Sequence, residues 1–186
     1  FYDVVPARHQ AIWTQFQHVK YNETCPPGFY LKSPFVKGIH MFTGPDKDEV
    51  DYTCGTKDGI TFKGKVAITN QLLKENVLES YLIHGENPDR ANIYDMSEFL
   101  MQSICADMTA REFLVTKFTK IDDLLYAALV KAQLDSKSGL RIVPGKVKVF
   151  KPIPTNSKIA DIIKMEAEHQ QSTRTADEEQ KLNAKQ

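Results

Sequence analysis

The chain has 186 residues with 24 basic and 24 acidic side chains, so its formal net charge is zero. That balance excludes the strong positive field typical of nucleic-acid-binding proteins, and we predict no nucleic-acid partner. The three cysteines, Cys25, Cys54 and Cys105, are too few and too widely spaced for a disulfide framework or a CxxC metal site. They permit at most one disulfide, and the sequence does not say whether it forms.

The length suits one domain with a hydrophobic core and an appendage. The first residue is Phe1 rather than Met, and we expect the natural chain to begin earlier. The sequence contains no run of about 18 apolar residues, the length that crosses a bilayer as a helix.

Short apolar runs predict strands in the first part of the chain. Residues Tyr2–Val5, 11–19 and 38–42 have the length and apolar content of strands. The segment 25–35 contains three prolines, which remove backbone donors and fix φ. We therefore predict a stiff, extended connection there rather than a helix.

The clearest strand pattern covers residues 48–70. Apolar and polar side chains alternate on both sides of a loop that has Gly55 and Gly59 at its ends. Because side chains on a strand point alternately to opposite faces, the two halves are predicted to be antiparallel strands with one buried face. Gly64, inside the second strand, indicates a bulge or a close backbone approach.

From Lys74 onward the apolar residues recur with helical spacing. Thr109 and Glu112 have the spacing of a capping box, which predicts a helix start. Gly139 is predicted to end the last helix of this region. That helix has the most regular apolar stripe of the chain, formed by Ile121, Leu124, Leu125, Ala128, Leu129 and Ala132.

Residues 140–150 return to strand alternation, and Pro144 with Gly145 predicts a bulge or a sheet edge there. After the proline-rich turn 151–154, Asn156 and Ser157 are candidate caps of a final helix. We therefore predict an α+β fold, an antiparallel twisted sheet with helices packed on it, followed by a projecting helix. The apolar residues of that helix are Ile159, Ile162, Ile163 and Met165.

The residues that could carry chemistry do not form a recognisable constellation, and we predict no catalytic, cofactor-binding or metal-binding residues. The five histidines are scattered without paired spacing. Cys54 before Gly55 could be a nucleophile only with a neighbouring base, and no flanking motif supplies one. We expect Cys54 to pack as a small hydrophobic residue, so that Cys54→Ser changes stability only slightly.

Two surface features remain open. Asn22-Glu23-Thr24 is a sequon for N-glycosylation, which has meaning only if this part of the protein enters the secretory lumen. Trp13, Phe29 and Phe35 are expected to pack in the core or in loops rather than to contact lipid.

Several of these motifs together resemble a known family. They are Pro27 to Leu31 followed by Pro34-Phe35, Asp48-Glu49-Val50, Cys54-Gly55-Thr56 with Gly59, and Lys151 to Pro154. The sequence resembles the SPFH (stomatin/prohibitin/flotillin, or band-7) superfamily and within it the erlins most closely. The resemblance covers nearly the whole chain and implies an SPFH domain over residues 1–154, with the start of a C-terminal assembly helix over 155–186.

The resemblance implies a non-enzymatic membrane scaffold that organises protein complexes by oligomerisation, for protein quality control, degradation and lipid-domain organisation. The expected partners are other SPFH subunits, membrane proteins and the membrane itself, with sterol as the candidate lipid. The membrane is expected to be reached through an N-terminal segment outside this chain. Ile159, Ile162 and Ile163 are the expected subunit interface. The expected location is the lumenal face of the endoplasmic reticulum.

Two alternatives stay open. The first is a prohibitin-like or accessory structural subunit of a large assembly in the mitochondrial inner membrane, such as a respiratory complex. The second is an enzyme that uses Cys54 as its nucleophile. A glycan on Asn22 would exclude the mitochondrial alternative.

Overall fold

The computed structural model describes residues 1–16 and 18–156. Its architecture is mixed α+β with antiparallel sheets and helices, as the sequence predicts. The predicted final helix and its residues Ile159, Ile162, Ile163 and Met165 lie outside the described part. The strands are β1 Tyr2–Val5, β2 His9–Gln15, β3 His18–Val19, β4 Gly28–Leu31, β5 Val36–Phe42, β6 Pro45–Gly55, β7 Thr61–Leu72, β8 Leu140–Val149 and β9 Ile153–Pro154. The helices are α1 Val77–His84, α2 Met96–Ala106 and α3 Phe118–Ser136.

The described strands form three antiparallel sheets. Strands β1 and β4 make a two-stranded ribbon, and β3, β2 and β5 make a three-stranded sheet in that order. The third sheet has the order β6-β7-β8, with β9 also paired to β7. Short connections between sequence neighbours explain why β2 with β3 and β6 with β7 pair as hairpins.

The β6–β7 hairpin confirms the alternation of residues 48–65, and the alternation breaks at Val66–Ile68, three consecutive buried residues of β7. Val50, Tyr52 and Cys54 are buried while their neighbours are exposed, because one face of the hairpin covers the core. Gly64 lies opposite Tyr52 in regular register, so of the two expected alternatives, a bulge and a close approach, the bulge is not formed there. A side chain at Gly64 would instead meet the Tyr52 ring, with its Cβ 2.5 Å from the phenol oxygen.

The helical region packs against the third sheet and contains two π-helical turns, Arg90–Asp95 before α2 and Glu112–Thr116 before α3. The capping box is confirmed: the Thr109 amide donates to the Glu112 carboxylate at 3.1 Å, and the Glu112 amide donates to the Thr109 hydroxyl at 3.3 Å. Along α3, Ile121, Leu125 and Leu129 are buried.

Of four other expectations, three need correction or completion and one is confirmed. Residues 11–19 are not one strand, since the chain turns after β2 and returns as β3. Leu124 is exposed although it belongs to the predicted stripe of α3. The helix ends before Gly139, with Lys137 in the left-handed conformation, and Gly139 itself adopts φ +73°. The predicted bulge at Pro144-Gly145 is confirmed, because the β7–β8 register shifts between Ile142 and Val147.

Two hydrophobic cores result. The larger lies between the third sheet and the helices, and its fully buried members include Phe62, Ile68, Met101, Phe113 and Leu125. The smaller lies between the ribbon and the three-stranded sheet and consists of Val5, Ala11, Trp13 and Val36. Strand β2 separates the two, because its Ile12 points into the larger core and its neighbours into the smaller.

Candidate functional site

The residues considered for chemistry are dispersed in the fold. His9 lies against the Phe42 ring, and His40 lies 3.4 Å from Asp3. In the part of the chain that the structure describes, no three His, Cys, Asp or Glu side chains are grouped so that they could hold a metal ion. His169 lies outside that part.

Cys54 is not a free thiol. It forms a disulfide with Cys105, with 6.1 Å between the two Cα atoms, and both residues are buried. The bond joins the end of β6 to the last turn of α2. The nucleophile hypothesis is therefore wrong, and so is the expectation that Cys54 packs as an isolated hydrophobic residue. Cys105 lies four residues after the buried Met101 on α2, so the helical spacing could have placed it on the buried face, but it does not identify Cys54 as its partner.

The ribbon turns apolar side chains outward and charged side chains inward, the reverse of the usual arrangement at a protein surface. Tyr2 is paired with Leu31 across the two strands, and Val4 with Phe29. These four side chains share the outer side, since the intervening residues alternate toward the protein. They are between 54% and 82% exposed, which is unusual for paired residues of this size. We call them the ribbon face.

The charged residues of the ribbon lie on its inner side. Lys32 donates to Asp3 at 2.8 Å, and His40 approaches the other oxygen of the same carboxylate. Partial burial alone would raise the pKa of Asp3, but the hydrogen bond and charge of Lys32, together with His40, lower it overall. Lys32 also lies 5.6 Å from the centre of the Trp13 ring. The ribbon therefore covers its charges and exposes its apolar side chains.

A second aromatic pair lies near the ribbon face. Phe16 and Phe35 are stacked with ring centres 6.4 Å apart, and both are exposed. Phe35 follows Leu31 by four residues, so the two Cα atoms are at most about 14 Å apart. Phe16 holds φ +50°, a strained value for an aromatic residue.

These placements correct the expectation of core or loop packing for Phe29, which lies on an exposed strand, while Phe35 lies in a turn and packs there on Phe16. Trp13 is buried, as expected. Phe29 and Phe35 are not core residues, and each stacks on another exposed ring instead, Tyr2 for Phe29 and Phe16 for Phe35. The sequence could have signalled the ribbon face only if the pairing of β1 with β4 had been known, because each strand alone alternates like a half-buried one.

A polar link ties the third sheet to the helical region. Tyr94 donates to Asp48 at 2.7 Å, and Asn70 donates to the other oxygen of that carboxylate. Asp89 lies nearby, and burial, followed by repulsion from Asp48 and Asp46, raises its pKa to about 6. The hydrogen bond to Asp48 raises the pKa of Tyr94 to about 12. This arrangement explains local packing and pH dependence rather than a binding site.

The fold also holds a groove between α3 and β8 with a volume of about 620 Å³. It is lined mainly by apolar side chains, among them Tyr126, Val130 and Ile142. Of its charged side chains, Glu79 is negative while Lys137 and Arg141 are positive. The charges therefore do not define one class of ligand.

The sequon residue Asn22 is exposed on a bend between β3 and the next backbone contact with β2. This segment lies on the β3 side of β2, and β5 pairs with the other side of β2.

No helix within residues 1–16 and 18–156 is both long and apolar enough to cross a bilayer. No protein-family model matches the chain. A curated relative from Caenorhabditis elegans, named "Erlin", is 25% identical over 153 residues. The alignment covers 80% of this chain and 46% of the relative, so the chain spans about half the length of the relative it matches. This similarity weakly suggests a relationship to the erlins and the SPFH proteins, and the α+β architecture is compatible with it.

Proposed function

We propose that this chain is the membrane-facing domain of an erlin-like, non-enzymatic scaffold that organises membrane-protein complexes by oligomerisation. The similarity to an erlin supports this class of protein. The observation that carries the proposal is the ribbon face, where Tyr2, Val4, Phe29 and Leu31 form an exposed, paired, apolar surface with no charged member.

The physical argument for a membrane as the occupant is the cost of leaving these side chains in water. Burying one large apolar side chain is worth roughly 1.5–3 kcal/mol, so four adjacent ones supply a substantial driving force. A two-stranded ribbon cannot insert through the hydrocarbon core, because its unpaired backbone edges would lack partners. It can lie in the interface, where Tyr and Phe rings sit at headgroup level.

The Cys54–Cys105 disulfide supports an oxidising location for this domain. The lumenal face of the endoplasmic reticulum is such a location, and it agrees with the erlin-like assignment. Other SPFH subunits and membrane proteins remain the proposed partners. Ile159, Ile162 and Ile163 remain the proposed subunit interface, although they lie outside the described residues.

Flotation of the purified 186-residue chain with phosphatidylcholine vesicles tests the membrane contact. The double variant Phe29→Glu/Leu31→Glu should weaken partitioning by roughly thirtyfold or more, since losing about 2 kcal/mol corresponds to that factor. Leu82→Glu/Phe99→Glu is the matched control, because Leu82 and Phe99 are equally large and similarly exposed but lie on helices away from the ribbon. Equal loss in both double variants, or none in either, would contradict the proposed contact.

Oligomerisation is tested separately by the native mass of the intact protein in a mild detergent. We expect a large assembly. A small monomer under those conditions would refute the scaffold while leaving the membrane contact intact.

A further inference from the structure

The segment after β3 forms a loop that protrudes from the edge of the three-stranded sheet. The Lys20 amide donates to the Trp13 carbonyl at 2.8 Å, and Cys25 exchanges two backbone hydrogen bonds with Ala11. Only Ile12 lies between Ala11 and Trp13 on β2, whereas four residues lie between Lys20 and Cys25. Residues 21–24 must therefore bulge away from the sheet.

Asn22 and Glu23 are exposed on this loop, and both have bend geometry. Thr24, the third residue of the sequon, is half-buried beside the anchored Cys25. The loop lies along the β3 side of β2, at the outer edge of the three-stranded sheet, where no further described strand pairs. A large solvated group on Asn22 can therefore extend into water without displacing a packed side chain or a strand.

We propose that Asn22 carries an N-linked glycan. Asn22-Glu23-Thr24 is the single sequon of the 186 residues, and its asparagine is on a surface loop, where such modifications occur. The proposal rests on the lumenal location given above. The observation behind that location is the Cys54–Cys105 disulfide, which points to an oxidising route through the cell.

In the reaction, the Asn22 side-chain nitrogen forms a bond to the anomeric carbon of an oligosaccharide carried on a lipid pyrophosphate. The bond between that carbon and the pyrophosphate oxygen breaks, and the lipid pyrophosphate leaves with its electron pair. The amide nitrogen gives one proton to a base of the transferring enzyme. No oxidant or reductant is needed.

The position of the glycan has a structural consequence. A small cavity of about 120 Å³ is lined by both Tyr21, which precedes Asn22, and Leu31 of the ribbon face. The glycan would therefore be attached close to the ribbon face while remaining at the sheet edge. Edge strands are prone to pair with other chains, and a bulky polar group at this edge would oppose such pairing.

The test uses the full-length protein expressed in cells that carry out N-glycosylation. Digestion with a peptide N-glycosidase should release a glycan and convert Asn22 to Asp in the tryptic peptide 21–32. Asn22→Gln and Thr24→Ala should lose the modification. Thr24→Ser is the matched control, because it keeps the hydroxyl required by the sequon and should retain the glycan.

An unmodified peptide 21–32 from protein that has formed the Cys54–Cys105 bond would overturn the proposal. Retention of the glycan at this peptide in Thr24→Ala would overturn it too. Vesicle flotation of the purified 186-residue chain, the test given above, separates this result from the proposed function. If Asn22 carries a glycan but the chain does not bind lipid, this inference stands and the membrane contact is refuted. If the chain binds lipid but Asn22 carries no glycan, the membrane contact stands and this inference is refuted.

Discussion

The N-terminal ribbon of β1 and β4 and the third sheet with the helices packed on it, here called the helix-packed sheet, bury and expose opposite kinds of side chain. In the described part of the chain, the larger core joins 25 buried hydrophobic residues, whereas the core beneath the ribbon has four. The outer face of β6 carries Glu49, Asp51 and Thr53, as expected for a surface in water. The outer face of the ribbon carries only apolar side chains.

This contrast separates the region that stabilises the fold from the region proposed to contact a membrane. The helix-packed sheet buries its apolar side chains against the helices, and a disulfide joins the sheet to α2. This region can therefore supply most of the folding free energy. The ribbon pairs its charges inward and leaves apolar side chains without cover, which favours a role in binding. Substitutions in the two regions should therefore change different measurements.

Breaking the disulfide should have the largest effect on the helix-packed sheet. Cys54→Ala/Cys105→Ala should lower the free energy of unfolding by roughly 2–5 kcal/mol, because the bond closes a long loop in the unfolded chain. Urea denaturation under non-reducing conditions measures this loss. Vesicle binding of the folded fraction should not change.

Cys25→Ser is the control for that experiment. Cys25 is the free cysteine of the chain, and the Trp13 indole donates to its sulfur at 2.9 Å. A serine oxygen can accept the same hydrogen bond, so we expect a small effect. Similar losses in Cys25→Ser and in the double variant would mean that the disulfide is not the cause.

Adding one methyl group at Gly64 should have the next largest effect. Its Cβ would lie within 3 Å of three atoms of the Tyr52 side chain, which is buried and cannot move cheaply. Gly64→Ala should cost about 1–3 kcal/mol by overpacking, measured by urea denaturation. Gly55→Ala is the control at the end of the same hairpin, since no atom lies within 4 Å of its Cβ position. Equal costs at Gly64 and Gly55 would show that lost backbone freedom, not the Tyr52 contact, is responsible.

The sequence predicts the helix-packed sheet much better than the ribbon. Alternation over residues 48–70 and the stripe of α3 identify one buried face each, and the buried face dominates the pattern there. Alternation does not predict strand β2, because β2 is buried on both sides and its apolar and polar residues do not alternate. The break after Gln15 has no glycine or proline to signal it, since Phe16 itself adopts the positive φ.

The candidate surface was harder to predict for a different reason. Tyr2, Val4, Phe29 and Leu31 become one surface only through pairing of strands that are more than 20 residues apart. Periodicity identifies a face but does not say whether another layer covers it. Asn22, by contrast, belongs to a local motif, so the sequence alone could select it.

Asp89 should make the stability of the helix-packed sheet depend on pH. Its pKa in the folded protein, about 6, is above the value of about 3.9 expected when unfolded. The folded state therefore binds more protons between these values, and this contribution to stability falls as pH rises from about 4 to about 6. Asp89→Asn should remove that contribution and stabilise the protein at pH 7 by on the order of 1–2 kcal/mol.

Denaturation of wild type and variant at several pH values measures the Asp89 effect as a difference. The comparison is necessary because Asp3 and Asp58 have lowered pKa values and so lose stabilisation as pH falls. Asp95→Asn removes the same charge from an exposed position and is the control. A constant difference between wild type and Asp89→Asn from pH 4 to 7 would contradict the raised pKa.

The smallest effect is expected in the ribbon, where the Asp3–Lys32 pair determines which side faces outward. The two side chains are 16% and 22% exposed, so their interaction should be worth about 1 kcal/mol, at the upper end for pairs near the surface. A double-mutant cycle with Asp3→Asn and Lys32→Met should give a coupling free energy of that size at pH 7. Because the pKa of Asp3 is lowered, the coupling should persist above the unfolded pKa and disappear as pH falls through the folded value. A coupling of zero at pH 7 would mean that the charges are not held together on the inner side. The ribbon could then turn its charged side to water, and the contrast with the helix-packed sheet would no longer support a membrane contact.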